Sequence, residues 1–234
     1  MKYIRELIRT IKYKSKFLGK NNNTKLNFIT NSSVNSKLTE LMNFYGSDKG
    51  GKNNHHNYSE YYSEIFFHKR KDVKNFLEIG LGTNNINLAS NMGKDGVPLA
   101  SLRAWRDYFI NANVYGADID KDILKNEERI KTFYVDQTNP FTISELFKKM
   151  EVKKFDVILE DGLHEYNANI CFFENSIEYL CDNGIYIIED VYYKDKSKFL
   201  NYFKKKKYYF SVVDIFHPKN IANNCVIIVR KNNG

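Results

Sequence analysis

Proline is scarce in this chain, three residues in 234, and glycine reaches only twelve. That excludes collagen-like and linker-rich architectures, which need both in quantity. Cysteine is scarcer still in effect. Cys171, Cys181 and Cys225 are odd in number and lack metal-ligand spacing, so neither a disulfide scaffold nor a zinc site is expected. A reducing, cytoplasmic setting fits that usage. No run approaches the roughly 20 apolar residues of a membrane span, and charges interrupt the apolar runs of the N-terminus, which does not read as a signal peptide.

What is abundant is ordinary for a globular enzyme-sized domain: 42% hydrophobic and 27% charged residues, with 17 Tyr and 17 Phe. The net charge of +8 is concentrated at one end. Lys2, Arg5, Arg9, Lys12, Lys14, Lys16 and Lys20 face a single acid, Glu6, while the body is near neutral. The chain as a whole therefore does not read as a nucleic-acid binder. Ile4, Leu7, Ile8 and Ile11 fall at helical spacing, which predicts a basic amphipathic arm. The Asn/Ser-rich stretch 21–36 reads as a loop joining it to the body. The expected division is an arm and loop over 1–45 and a catalytic domain over 46–234. The arm and the tyrosine-rich composition are compatible with self-association into a homo-oligomer.

From residue 75 the pattern alternates. Strands are predicted at 75–79, 113–119, 131–135, 155–160, 184–188, 210–216 and 225–230. Helices are predicted at 99–110, 121–128, 142–150, 168–180 and 196–205. This is an α/β pattern: a seven-stranded, mostly parallel, Rossmann-like sheet whose last two strands form an antiparallel pair at one edge. Ligands of such sheets bind beyond the carboxyl ends of the strands.

The strand tips carry the informative residues. The first ends in Glu78-Ile79-Gly80-Leu81-Gly82, two glycines that permit a tight turn and close approach of a ligand to the backbone. A dinucleotide fingerprint would continue to a third glycine, but Asn85 stands there. Glu78 suits S-adenosylmethionine, whose sulfonium and amino groups are cationic. The second strand ends in Asp118-Ile119-Asp120, where an acid can accept both ribose hydroxyls; Asp118 is the better placed and Asp120 the alternative. Asp136, at the third tip, can accept from an adenine amino group. The fourth and fifth strands end in Glu160-Asp161-Gly162-Leu163-His164 and Glu189-Asp190. If these strands are neighbours, their carboxylates converge and repel unless a cation sits among them. Oxygen ligands with a single His suit Mg²⁺ or Mn²⁺.

With these tips in order, the sequence resembles the class I S-adenosylmethionine-dependent methyltransferases. More closely it resembles the metal-dependent sugar O-methyltransferases of the mycinamicin type and their relatives in bacterial surface-polysaccharide pathways. The matching residues are Tyr45-Gly46-Ser47-Asp48-Lys49-Gly50, Ser101-Leu102-Arg103-Ala104-Trp105, the Glu160 to His164 segment and Ile187-Ile188-Glu189-Asp190. Leu163 departs from the Ser usual in that group, and Gly96-Val97-Pro98-Leu99-Ala100 is bulkier than its Gly-rich stretch. The resemblance implies metal ligation by Asp161, Glu189 and Asp190, a general base at His164, and a methionine carboxylate met by Lys49 or Arg103. It implies an O-methyltransferase acting on a saccharide or nucleotide-sugar hydroxyl, of the kind used in capsule polysaccharide synthesis. A glycosylated natural product is the alternative acceptor, and an NAD-dependent oxidoreductase on the same type of sheet is the competing activity.

Overall fold

The computed structural model describes residues 24–28, 36–217 and 223–231. The basic arm expected over the first twenty residues lies outside the described residues. Eight strands form one sheet: β1 Thr24–Phe28, β2 Asn75–Ile79, β3 Asn113–Asp118, β4 Ile130–Tyr134, β5 Phe155–Glu160, β6 Leu180–Ile188, β7 Tyr208–Ile215 and β8 Cys225–Lys231. Their order is β1-β7-β8-β6-β5-β2-β3-β4. Strand β8 runs antiparallel to both its neighbours, and every other pairing is parallel.

The helices divide between the two faces because the strands alternate. Phe76 and Val157 point to one core and Leu77 and Ile158 to the other, as the two-residue period requires. The first core is closed by α1 (Lys37–Tyr45), α2 (Tyr58–Phe66) and α3 (Ala100–Tyr108). The second is closed by α4 (Pro140–Lys149), α5 (Tyr166–Ser176) and α6 (Lys196–Lys204). Trp105, fully buried, anchors α3 by packing its ring against Phe76 and Phe109, with centroids 4.8 and 5.5 Å away.

The seven expected strands are present, and the structure adds to them. The segment read as a loop supplies β1, which pairs in parallel with β7 and forms the sheet edge in place of the C-terminal pair. It is followed by α1, whose Leu38, Leu41 and Met42 are buried at helical spacing. Ser36 caps that helix by accepting from the Thr39 amide at 3.1 Å, and Gly46 ends it at φ 83°. The helix expected at 121–128 is only a 3-10 turn, Lys121–Ile123. Ile123 and Leu124 are the sole apolar residues of that stretch, too few to hold an amphipathic helix on the core.

Neighbouring β2, β5 and β6 bring their carboxyl ends together. The Asp161 amide donates to Ile79 O at 2.8 Å and the Glu189 amide to Glu160 O at 2.9 Å. The tips that sequence spacing could only propose as neighbours are thus stitched by backbone hydrogen bonds.

Candidate active site

Beyond these tips lies a cavity of about 300 Å³. Its walls include Gly80, Gly82, Asp118, Asp136, Asp161 and His164. Gly80 and Gly82 sit at φ 88° and 78°, a region that favours glycine. At Gly80 there is no alternative, since a Cβ would stand 1.9 Å from the carbonyl oxygen of Asp161. Asp118 braces the turn, its two oxygens accepting the amides of Leu81 at 2.6 Å and Asp120 at 2.8 Å. Burial raises its pKa, with those amides pulling the other way. Asp120 is turned from the cavity to Thr83 and its own 3-10 turn. Asp136 reaches the wall, where it also accepts from the Thr138 amide at 2.9 Å.

At one end of the cavity four carboxylates gather, that of Asp161 in its wall and those of Glu78, Glu189 and Asp190 behind it. Lys49, only 2% exposed, sits among them. Its ammonium donates to Asp161 and, at 2.7 Å, to Glu189, and lies 3.7 Å from Glu78. Burial opposes the charge on Lys49, and the acids around it overcome that and raise its pKa. Glu78 was expected to face a cationic ligand. It shares the strand parity of Phe76 instead, so it points beneath the cavity toward Lys49 and is fully buried. Desolvation pushes its pKa up to about 8, against the pull of Lys49.

Two tyrosines on α2, one turn apart, support the cluster from behind. Tyr58 donates to Asp190 at 2.6 Å and Tyr62 to Glu189 at 2.5 Å. Both rings belong to the first core while their hydroxyls reach the site. Gln137 was missed altogether. It donates to Glu160 at 2.8 Å and accepts from the Leu163 amide at 2.8 Å, which fixes the loop carrying His164. A polar residue next to the strand-tip Asp136 was the available signal.

His164 adopts φ 61° and places Nε2 3.1 Å from Asp161 and 3.5 Å from Asp190. Burial opposes its charge, and the Asp161 hydrogen bond and the nearby acids prevail, raising its pKa to about 9. Burial likewise raises Asp190, whereas for Asp161 the opposing pull of Lys49 and His164 wins and its pKa is lowered. Donor atoms of Asp161, His164 and Asp190 all lie within 4.8 Å of one another, close enough to share an ion. Glu189, predicted as the third ligand, is held back by Lys49 and Tyr62.

Arg103 does not reach the cavity. Its guanidinium forks onto Glu127, with contacts of 2.7 to 3.2 Å, and onto Pro98 O at 3.1 Å. That hydrogen-bonded pairing holds the Glu127 carboxyl below its usual range. The helix turn directs residue 103 away from Ser101, which does line the cavity. Arg103→Met is accordingly expected to leave cofactor affinity unchanged and to cost about 1 kcal/mol of stability or less, as calorimetry and thermal unfolding would show.

A second cavity, about 540 Å³, adjoins the first. Both are lined by Ala89, Ser90, Leu163 and His164. His164 therefore stands where the two meet.

No family model matches the chain. Among solved structures, it superimposes on a methyltransferase of the mycinamycin biosynthetic pathway, solved with Mg and SAH, at a TM-score of 0.63 and 22% identity. The match covers 86% of this chain and 56% of that one. The fold is that of a class I methyltransferase. The sequence is also similar to a rhamnosyl tetracenomycin C 2'-O-methyltransferase of Streptomyces olivaceus, 29% identical over 66% of the chain. Demethylmacrocin O-methyltransferase of Streptomyces fradiae is 29% identical over a similar span. The chain spans only 37% and 36% of those two relatives' lengths. In class I methyltransferase terms, the Gly80–Gly82 turn and the acidic tips occupy the carboxyl edge of the sheet, and no described helix is long and apolar enough to cross a membrane.

Proposed function

We propose that this chain transfers a methyl group from S-adenosylmethionine to a hydroxyl of a saccharide acceptor, such as a nucleotide-activated sugar or heptose. One observation carries the reading: His164 stands at the junction of two cavities, with Asp161 and Asp190 beside it. The smaller cavity, with its glycine turn and acidic tips, suits the methyl donor, and the larger one suits the acceptor. The names of the relatives favour a glycosylated natural product as the second acceptor class. An NAD-dependent oxidoreductase would leave the acidic cluster without a use.

The donor set fits a hard divalent cation. Burial disfavours the charged forms of Glu78 and Glu189, and the oxygens of Asp161 and Asp190 are the ones that converge with His164. These two aspartates would hold Mg²⁺ or Mn²⁺, with Glu189 behind them. When bound, such an ion lowers the pKa of an acceptor hydroxyl and favours release of the proton His164 otherwise holds. The chain's own groups do the rest. The imidazole accepts the hydroxyl proton as the oxygen attacks the methyl carbon and the sulfonium sulfur departs as a thioether. The glycine turn and the Gln137-braced loop fix donor and base relative to one another.

Titration calorimetry of the full chain with S-adenosylmethionine and with NAD tests the donor, and turnover in EDTA tests the cation. S-adenosylmethionine should bind and NAD should not; EDTA should abolish methyl transfer, and Mg²⁺ or Mn²⁺ should restore it. Binding of NAD alone would overturn the donor assignment, and undiminished turnover in excess chelator would overturn the metal.

A further inference from the structure

The larger cavity has a charge distribution that a neutral sugar would not use. Besides His164, four of its lining residues are charged: Glu165, Lys194, Asp195 and Lys198. Asp195 is buried and already takes Lys198 at 2.8 Å, so those two charges cancel within the fold. Glu165 follows His164 directly and is the N-cap residue of α5, which places an acceptor of hydroxyl protons on the side of the base. Lys194 belongs to another wall, the 3-10 turn Tyr193–Asp195 that leads into α6. Among the described residues no carboxylate lies within ion-pair distance of Lys194. Its ammonium instead stands 5.7 Å from the centre of the Tyr192 ring, and Lys198 stands 5.6 Å from the Tyr166 ring. Both tyrosines line the cavity too.

Resting on the methyltransferase reading, we infer that the acceptor is a glycosyl phosphate ester whose phosphate is held by Lys194. The sugar ring lies on the aromatic faces of Tyr166 and Tyr192, and its hydroxyls are directed to Glu165 and His164. A neutral glycoside would partly desolvate the Lys194 ammonium with nothing in return, which is unfavourable. A phosphate supplies the missing counter-charge and strong acceptor oxygens. A cavity of about 540 Å³ also leaves space beyond a single pyranose for such a group. Tyrosine at two walls gives the ring an amphipathic platform, its hydroxyl edge remaining wet. Lys194 is thus a specificity-determining residue, remote from the transferred methyl.

The test is calorimetric, on the full chain saturated with S-adenosylhomocysteine and Mg²⁺. The probes are UDP-glucose, glucose 1-phosphate, glucuronic acid and methyl glucoside. The two phosphate esters should bind at least tenfold more tightly than methyl glucoside, and their affinity should fall with added NaCl. Lys194→Gln should remove most of that preference, Lys194→Arg should retain it, and S-adenosylhomocysteine should bind all three proteins alike. Because Lys194 is exposed, both variants are expected to unfold at the parental temperature. Glucuronic acid binding as tightly as the phosphates would overturn the phosphate assignment in favour of a carboxylate. Equal binding of methyl glucoside, or a Lys194→Gln protein that keeps the phosphate preference, would overturn the role of Lys194. A parent that fails to bind S-adenosylhomocysteine would overturn the methyltransferase reading, and this one with it.

Discussion

Replacing His164 by alanine should slow methyl transfer by roughly 10²–10⁴, the range for loss of a general acid–base group, while S-adenosylmethionine binds as before. The geometry makes the experiment discriminating. His164 is near enough to Asp161 and Asp190 to be a ligand itself, yet it also stands where donor and acceptor cavities meet. A base and a ligand leave different signatures. Loss of a base lowers the rate at saturating metal and leaves the metal concentration for half-activity where it was. Loss of a ligand raises that concentration, and excess Mg²⁺ recovers the rate. The first outcome is expected, because the two aspartates already provide the anionic oxygens a hard cation prefers. Since His164 sits at φ 61°, alanine there is strained, and His164→Asn serves as a second variant that tolerates the left-handed region. A His164→Ala or His164→Asn enzyme as fast as the parent would remove the imidazole from the mechanism.

The sequence made the sheet legible because parallel strands covered on both faces are short apolar runs ending in acids or glycines. Strands β2 and β5 fall on the residues their composition predicts, 75–79 and 155–160. The convergence of Asp161 with Glu189 and Asp190 followed from the expected adjacency of two strands, which the backbone bonds between β5 and β6 supply. Other features depended on information that spacing does not hold. Strand β1 is five residues in an Asn/Ser-rich stretch, and only its pairing with β7 distinguishes it from loop. Arg103 and Lys49 were both read as cations awaiting a ligand's carboxylate, and both are engaged by carboxylates of the chain itself. Which acid a basic side chain meets is decided by tertiary packing: Glu127 lies 24 residues from Arg103, and Glu189 lies 140 from Lys49. The tyrosines of α2 illustrate the opposite limit. An i, i+4 spacing is that of a helix face, but nothing in the spacing says that the hydroxyls reach Asp190 and Glu189.

Lys49→Met should be the most destabilising exchange in the site. Methionine matches the length of the buried stem but removes the one ammonium that touches Asp161 and Glu189 and faces Glu78. Removing one partner of a buried ion pair typically costs about 3–5 kcal/mol, because the other charge is left without compensation. At roughly 2–4 °C per kcal/mol for a domain of this size, thermal unfolding of the metal-free protein should fall by about 6–20 °C. Two further measurements separate electrostatics from packing. Glu78 already has its pKa raised to about 8 by burial, and Glu189 is raised as well. Without Lys49 the folded state binds protons more tightly still, so it holds more protons than the unfolded chain from about pH 4.5 upward. Stability then declines as pH rises across that window, and the loss relative to the parent should be smaller at pH 5 than at pH 8. Mg²⁺ should also restore more of the unfolding temperature in the variant than it adds to the parent, since it binds a cluster with one cation fewer. If the loss were equal at both pH values and indifferent to Mg²⁺, Lys49 would be filling space rather than balancing the four acids.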